Sequence, residues 1–219
     1  MDIEALKAHT RKYWESAKDT HVAEPAYYQL ARSELEGILG RHMPPGGNVL
    51  DVGCGNGEYT ALIARQAGQV LAFDISESLL EAARHRCAQM GNVSFLKADL
   101  SYGKVAFAGH VDAVFCMGVF VCLPDQAQLL RLLADFHDYL VEGGLLVLRE
   151  STTRGEDRYV RYSSGHLGYY RNKSALLSVL LEHGFELCEE VPLKAVQEPF
   201  NDYLVLRKRG ARQAGASSA

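Results

Sequence analysis

The sequence predicts an α/β fold in which a doubly wound, mostly parallel sheet of seven strands carries helices on both faces. Two observations lead to this prediction. Short apolar runs alternate along the chain with segments whose apolar residues recur at helical spacing. The runs are rich in branched residues and apolar almost without interruption, which is typical of strands buried on both faces.

The predicted elements follow one another in a regular order. Two helices come first, within residues 1–41, with a break near Pro25. The seven predicted strands are NVLDV, QVLAFD, VSFLKAD, VDAVFCM, LLVLRE, FELCEEV and DYLVLRK. Four more helices are predicted at residues 59–66, 76–90, 125–141 and 173–183.

A chain of 219 residues with 47% hydrophobic content is long enough to bury one substantial core, so we expect a single domain over residues 1–209. Residues 1–42 are expected to form an N-terminal helical cap, and residues 210–219 a flexible tail. Residues 151–172, which are polar and rich in tyrosine, interrupt the pattern after the fifth strand. Long insertions at strand ends usually carry function, so we expect a lid here.

Charge and cysteine content narrow the class of partner. The formal net charge of −4 gives no general attraction for phosphate backbones, so we expect no nucleic-acid partner and favour a small molecule. The five cysteines are widely spaced and odd in number, which fits neither a disulfide framework nor a metal site. No apolar window reaches transmembrane length, and we expect a cytoplasmic protein without a membrane partner; a homodimer is left open.

The run VLDVGCGNG ends the first strand in a glycine turn at Gly53, Gly55 and Gly57, where missing side chains would let a ligand approach the backbone. Asp74 closes the second strand nineteen positions after Gly55. A doubly wound sheet places there the carboxylate that accepts hydrogen bonds from ribose hydroxyls. Glu58 stands where pyrophosphate would bind at the helix start, which disfavours a dinucleotide.

These features, together with LKADL around Asp99, resemble the successive cofactor motifs of class I S-adenosylmethionine-dependent methyltransferases over roughly residues 49–150. The resemblance implies a Rossmann-like fold, S-adenosylmethionine as cofactor and S-adenosylhomocysteine as product. In that family the glycine turn wraps the amino-acid part of the cofactor, the acidic residue holds the ribose, and the end of the fourth strand lies beside the methionyl portion. The cofactor-binding residues implied in this chain are Asp51, Gly53, Cys54, Gly55, Gly57, Asp74, Ile75, Asp99, Leu100, Cys116 and Met117.

Methyl transfer is an in-line displacement, and a hydroxyl acceptor also needs a base, whereas an amine must arrive unprotonated. His166 lies in the insertion, at the sheet edge where acceptors bind, and is the first candidate base. Glu150, at the end of the fifth strand, is a second catalytic candidate, with pairing to Arg149 as the structural alternative. Substrate contacts or plain packing are expected of Tyr13, Trp14, Val119, Tyr162, Tyr170 and Arg171.

The function predicted first is methyl transfer to an oxygen of a small metabolite or sugar. The alternatives are methyl transfer to the nitrogen of a small amine, and a non-catalytic cofactor-binding partner subunit. A nicotinamide oxidoreductase is disfavoured by the loop spacing. The segment CMGVFVCLPD after the fourth strand lacks the Asn or Asp followed by two prolines of family members that methylate amino groups of adenine or glutamine.

Overall fold

The computed structural model of the protein describes residues 2–20, 25–99, 103, 109–194 and 199–210. The helices in these ranges are α1 (Ile3–Glu15), α2 (Pro25–His42), α3 (Glu58–Ala64), α4 (Glu77–Arg86), α5 (Gln126–Tyr139) and α6 (Lys173–Glu182). The strands are β1 (Asn48–Val52), β2 (Gln69–Asp74), β3 (Val93–Lys97), β4 (Val111–Met117), β5 (Leu140–Thr153), β6 (Arg158–Arg161), β7 (Leu167–Asn172), β8 (Phe185–Lys194) and β9 (Phe200–Lys208). All the predicted helices and strands are present, although their ends differ by several residues.

The main sheet has the order β3-β2-β1-β4-β5-β9-β8. The first five of these strands are parallel, and β9 is antiparallel to both of its neighbours. Because β1 pairs with β2 on one edge and with β4 on the other, the strand order reverses there. Ligands of open α/β sheets bind at the carboxyl ends of the strands at such a point. The predicted doubly wound, Rossmann-like fold is confirmed.

The fifth strand and the insertion differ from the prediction. β5 continues beyond Glu150 to Thr153, and the insertion folds into two more strands, β6 and β7, that form an antiparallel hairpin. β4 stops where Met117 pairs with Arg149, and β7 pairs with the last two residues of β5. Since β9 occupies the other edge of β5, the hairpin takes up the edge that β4 leaves open. Among the described residues the sheet therefore has nine strands, seven predicted and two from the insertion.

Helices cover both faces of the sheet, as predicted. The layer of α2, α3 and α4 buries, among others, Leu35, Ile38, Leu62, Ile63 and Leu80. The opposite layer of α5 and α6 buries Leu129, Leu133, Phe136, Leu176 and Leu180. Full burial of such a side chain contributes about 1.5–3 kcal/mol, so these two layers supply most of the driving force for folding. Within the described ranges, no helix has the length and apolar character needed to cross a membrane.

Side-chain caps fix where four of the helices begin. Asp2, Ser76, Asp125 and Asn172 each accept a hydrogen bond from a backbone N–H in the first turn of α1, α4, α5 and α6, respectively. Such a cap satisfies one of the N–H groups that a helix leaves unpaired and contributes about 1 kcal/mol. The local sequence therefore determines where these four helices begin, just as it determines where the strands lie.

The expected N-terminal cap of residues 1–42 divides into two parts. α2 belongs to the buried helical layer, whereas α1 lies across the carboxyl edge of the sheet. The His9 imidazole hydrogen-bonds to the Gly165 carbonyl in the hairpin at 3.0 Å, and the Ser76 hydroxyl donates to the Ala17 carbonyl at 2.6 Å. α1 therefore covers the edge where a ligand is expected. Residues 211–219 of the expected tail lie outside the described residues.

Gly57 offers a test of the packing between α3 and α4. It has a φ of 77°, and a Cβ there would lie 2.8 Å from Cβ of Ala83. Gly143 has a similar φ of 73° but open space around it. We expect Gly143→Ala to cost about 1–2 kcal/mol of unfolding free energy through backbone strain, and Gly57→Ala about 1–3 kcal/mol more through the clash. Urea denaturation measures both; equal losses would mean that α3 and α4 separate without cost.

Candidate functional site

A cavity of about 240 Å³ lies beneath α1, at the carboxyl ends of β1, β2 and β4. It is at the position where the strand order reverses, as the topology requires. The lining includes ten of the residues that the sequence singled out: Trp14, Asp51, Gly53, Cys54, Gly55, Asp74, Ile75, Asp99, Met117 and Val119. The fold thus brings the separate motifs of residues 51–55, 74–75, 99 and 117–119 together around one space.

The glycine turn forms one wall of the cavity. Gly53 and Gly55 have φ values of 69° and 54°, a backbone conformation that other residues rarely adopt. A Cβ on Gly53 would overlap Cγ2 of Val119, and one on Gly55 would lie 2.7 Å from Cγ2 of Thr20. Both the backbone conformation and the close approach of neighbouring walls therefore require glycine. The close approach of a ligand to this turn stays a prediction.

Asp74 joins the glycine turn to the end of β2. Its two carboxylate oxygens accept hydrogen bonds from the backbone N–H groups of Gly55 at 2.8 Å and Ser76 at 2.9 Å. Burial raises the pKa of this carboxyl, and the hydrogen bonds from Ser76, Gly55 and Ile75 oppose that rise. Each oxygen of a carboxylate has a further lone pair, so Asp74 can still accept hydrogen bonds from a ligand in the cavity.

Asp51 is a second buried carboxyl at the floor of the cavity. The Thr60 hydroxyl donates to one of its oxygens at 2.6 Å. Burial raises the pKa of Asp51 to about 7; the Thr60 hydrogen bond opposes this change, and the nearby charge of Asp74 adds to it. The protonation state of this group therefore changes near neutral pH, and a cationic ligand group close to it would favour the ionised form.

The cavity has a wall of aromatic and basic side chains that sequence reasoning missed. Tyr28 from α2 and Tyr59 from α3 have their ring centroids 5.8 Å apart. Arg149 from β5 donates a hydrogen bond to the Tyr59 hydroxyl, and its guanidinium carbon lies 4.7 Å from the centroid of that ring. All three line the cavity. Side chains alternate between the two faces of a strand, so Arg149 and its neighbour Glu150 face opposite sides of β5. This alternation could have identified Arg149, but the sequence does not say which side of the sheet holds the site.

Glu150 and Arg171, predicted to act on the acceptor, instead hold the turn that follows β4. The carboxylate oxygens of Glu150 accept from the N–H groups of Phe120 and Val121, each at 3.0 Å. The Arg171 guanidinium donates to the carbonyls of Phe120 and Leu123, each at 2.6 Å. Burial raises the pKa of Glu150 to about 7, against the effect of its two N–H donors and of Arg171. Neither side chain lines the cavity, because both point to the opposite face of the sheet edge.

His166 lies in the seam between α1 and the hairpin. Its ring stacks on Tyr162 with centroids 3.9 Å apart, and it contacts Tyr13 and Trp14 at centroid distances of 5.6 and 5.7 Å. Its Nδ1 is 2.7 Å from the Ser164 hydroxyl, with which it shares a hydrogen bond. Of these aromatic residues only Trp14 lines the cavity. His166 is therefore one side chain away from the space where an acceptor would bind.

The remaining sequence-predicted residues lie outside the lining. Tyr170 is buried, and its hydroxyl contacts that of Tyr162. Cys116 is fully buried in the core beneath the cavity. Gly57 packs against α4, and Leu100 lies outside the described residues. Tyr170, Cys116 and Gly57 therefore contribute to packing in this structure.

Asp99, the residue expected near an adenine ring, forms part of the contact with α1. Its carboxylate is 3.0 Å from Nε of Arg11, and both side chains line the cavity. The Arg11 side chain is about half exposed, so this ion pair contributes little to stability by itself. The ion pair nevertheless connects the loop after β3 to α1, the helix that covers the site.

Comparison with known proteins gives a matching family model and curated sequence relatives. A family model described as a methyltransferase domain matches residues 49–144. The ubiquinone biosynthesis O-methyltransferase of Xanthomonas axonopodis pv. citri is 29% identical over 151 residues, which cover 67% of this chain and 59% of that relative. The protein of the same name from Methylococcus capsulatus is 28% identical over 58% of this chain and 52% of its own length. The chain thus spans little more than half the length of these curated relatives.

Two solved structures with a similar fold are described as methyltransferases. The N-methyltransferase NodS from Bradyrhizobium japonicum superposes with a TM-score of 0.70, at 16% identity, over 86% of this chain and 100% of that one. Phosphoethanolamine N-methyltransferase 1 from Haemonchus contortus, in complex with phosphoethanolamine and S-adenosylhomocysteine, gives a TM-score of 0.75 at 20% identity over 100% of this chain and 52% of that one. At such identities the likeness shows the fold alone. Together with the methyltransferase-domain match and the O-methyltransferase relatives, it makes the chain similar to class I S-adenosylmethionine-dependent methyltransferases in both sequence and fold.

Proposed function

We propose that the chain is an S-adenosylmethionine-dependent methyltransferase that transfers a methyl group to an oxygen of a small metabolite. The observation that carries the proposal is the covered cavity in which the glycine turn, Asp74 and Asp99 meet. Methylation at oxygen is favoured because the sequence relatives are named O-methyltransferases of ubiquinone biosynthesis. The acceptor itself is not inferred from those names, since one fold and one cofactor motif serve many acceptors.

The residues present fit the proposed cofactor. Gly53 and Gly55 bring backbone to the cavity surface beside Met117, where the amino-acid part would lie. Asp74 retains lone pairs for ribose hydroxyls, and Asp99 would lie beside the adenine. Bound S-adenosylmethionine supplies a methyl group that is activated by its attachment to a positively charged sulfur. The chain's own contribution is to bind, to orient and to exclude water.

The acceptor would bind in the part of the cavity nearest α1 and the turn after β4. This part is lined by Trp14, Cys122, Leu123, Pro124 and Leu132, which form a mainly apolar surface. Such a surface suits a small aromatic or otherwise largely apolar molecule with a few polar groups. The hydrogen bond between His9 and Gly165 ties α1 to the hairpin, so these two elements together would form the lid over the acceptor.

Loss of a proton from a hydroxyl acceptor requires a base within reach. His166 remains a candidate by its position in the lid, although it stacks between Tyr162 and the aromatic pair of α1. That environment supports a packing role, in which the imidazole holds α1 against the hairpin. Positioning and exclusion of water would then supply most of the rate enhancement.

The proposed function can be tested by binding and by label transfer. We expect S-adenosylhomocysteine to bind with micromolar affinity in calorimetry, and Asp74→Asn and Gly55→Val to weaken binding at least about tenfold through lost hydrogen bonds and a blocked turn. Glu81→Gln, an exposed position on α4, is the matched control and should bind as the wild type does. Absence of binding to the wild-type protein would refute the proposal.

The second stage of this test identifies the methylated atom. Methyl-labelled S-adenosylmethionine is incubated with panels of phenols, catechols, sugars and amines, and the products are analysed by mass spectrometry. Label on oxygen supports the proposed reaction, whereas label only on nitrogen makes the protein an N-methyltransferase. Cofactor binding without transfer to any acceptor in the panels would favour the alternative of a non-catalytic partner subunit.

The buried carboxyl of Asp51 predicts that cofactor binding depends on pH. Its pKa of about 7 is raised above the ordinary value, so the free protein holds a proton on it below pH 7. The cofactor's ammonium group would favour the ionised form, so binding below pH 7 must release that proton. We expect affinity for S-adenosylhomocysteine to rise by up to about tenfold per pH unit between pH 5.5 and 7.

Calorimetry in two buffers of different ionisation enthalpy counts the released protons. Asp51→Asn, which is uncharged at every pH, should release fewer protons and lose most of the pH dependence. The folding stability of the free protein should change with pH in the opposite direction to the affinity. A carboxyl whose pKa is raised on folding makes the protein less stable as the pH rises toward 7. If wild type and Asp51→Asn release the same number of protons, Asp51 does not face the cofactor's ammonium group.

Two substitutions at His166 separate its possible roles. We expect His166→Phe, which keeps a ring against Tyr162 and Trp14, to retain turnover within about threefold on an acceptor found in the panels. His166→Ala should lower turnover more, because it removes the ring contacts that hold α1 to the hairpin, each of which contributes about 0.5–1.5 kcal/mol. The measurement is kcat with saturating cofactor. Equal and large losses in both variants, with cofactor affinity unchanged, would instead identify His166 as the base.

A further inference from the structure

Arg149 is a cation that the proposed reaction leaves without a use. It lies on β5, beside the end of β4, and its guanidinium faces the cavity among Tyr27, Tyr28, Tyr59 and Tyr203. Its polar contacts among the described residues include the hydroxyls of Tyr59 and Tyr203, and neither is a carboxylate. Burial raises the pKa of Tyr59 to about 12, so this hydroxyl is neutral at physiological pH and cannot balance the charge.

The other two cations of the cavity are paired with carboxylates. Lys7 is 2.8 Å from a carboxylate oxygen of Glu4 and 3.6 Å from one of Asp125. Arg11 is 3.0 Å from Asp99. In the part of the chain that the structure describes, no carboxylate lies within ion-pair distance of Arg149. Its strand neighbour Glu150 points to the other face of the sheet, and its oxygens are held by backbone N–H groups.

A largely enclosed guanidinium without a counter-charge is costly unless a ligand supplies one. Contact with the ring of Tyr59 recovers part of that cost. The planar fork of donors is suited to a carboxylate, which it can bind through two parallel hydrogen bonds. Tyr28 and Tyr59 add hydroxyl donors at the same wall of the cavity.

We propose that Arg149, supported by Tyr59, anchors a carboxylate in the cavity, either the methionyl carboxylate of the cofactor or an acid group on the acceptor. This inference rests on the proposed function. It assigns a partner to Arg149, the one cavity-lining cation that is without a carboxylate among the described residues. It places an anion at the wall formed by β5, α2 and α3. The two carboxyls Asp51 and Asp74 lie at the turn side of the same cavity, so the space would present opposite charges to the two ends of a ligand.

The test compares S-adenosylhomocysteine with S-adenosyl-3-thiopropylamine, which has the same structure without the carboxylate. Calorimetry is performed on the wild type, on Arg149→Gln and on Arg131→Gln, an exposed arginine of α5 that serves as control. If the cofactor supplies the anion, Arg149→Gln should weaken S-adenosylhomocysteine about 10- to 100-fold and leave the decarboxylated compound within about twofold. Arg131→Gln should change neither affinity.

A second arm detects an acid group on the acceptor. Protein saturated with S-adenosylhomocysteine is titrated with sodium benzoate or with benzamide, its uncharged counterpart, and the melting temperature is followed. If the acceptor supplies the anion, benzoate should raise the melting temperature of the wild type and benzamide should not. The difference should disappear in Arg149→Gln, while the affinity for S-adenosylhomocysteine stays unchanged.

The outcomes separate this inference from the proposed function. If the wild type fails to bind S-adenosylhomocysteine, the proposed function fails, and this inference with it. If the wild type binds it and Arg149→Gln matches the wild type in both arms, only the anchor is refuted. Should Arg149→Gln unfold, Arg149→Lys keeps the charge without the fork. Arg149→Lys should then lose less affinity, or less of the benzoate-induced rise in melting temperature, in whichever arm identifies the anion. If Arg149→Lys behaves as the wild type does in both arms, the inference is overturned.

Discussion

The position of β1 between β2 and β4 is the constraint on which the rest of the structure depends. The chain leaves β1 through α3 toward one face of the sheet and leaves β4 through α5 toward the other, so the two loops separate at the carboxyl edge. The space between them becomes the cavity. Each wall then comes from a segment that the sheet directs there: the glycine turn after β1, Asp74 at the end of β2, and Met117 at the end of β4.

Several charged side chains near the cavity form hydrogen bonds with the backbone of the turns that surround it. Asp74 binds N–H groups of the glycine turn and of the α4 start, and Glu150 and Arg171 bind the backbone of the turn after β4 from opposite directions. These turns carry backbone groups that regular secondary structure does not satisfy, and an unpaired buried group is costly. Glu150 and Arg171 therefore fix the shape of the cavity from outside its lining, whereas Asp74 both holds the glycine turn and lines the cavity.

The cover over the cavity is built from parts distant in sequence. α1 contacts the loop after β3 through Arg11 and the hairpin through His9, and Ala17, just after α1, contacts the loop after β2. The contacts of His9 and Arg11 lie at the surface, whereas α2 packs into the buried core. The methyltransferase-domain model matches residues 49–144, a range that includes neither α1 nor the β6–β7 hairpin.

The sequence by itself determined the α/β architecture, the order of strands and helices, and the segments at Gly53, Gly55 and Asp74 that line the cavity. These features follow from hydrophobic periodicity and from backbone conformations that only certain residues adopt, and both are local properties. Only the tertiary structure decided that Arg149 faces the cavity and Glu150 does not, that β6 and β7 extend the sheet, and that His166 stacks beneath α1. Those facts depend on which face of a strand meets which helix, and long-range packing sets that relation.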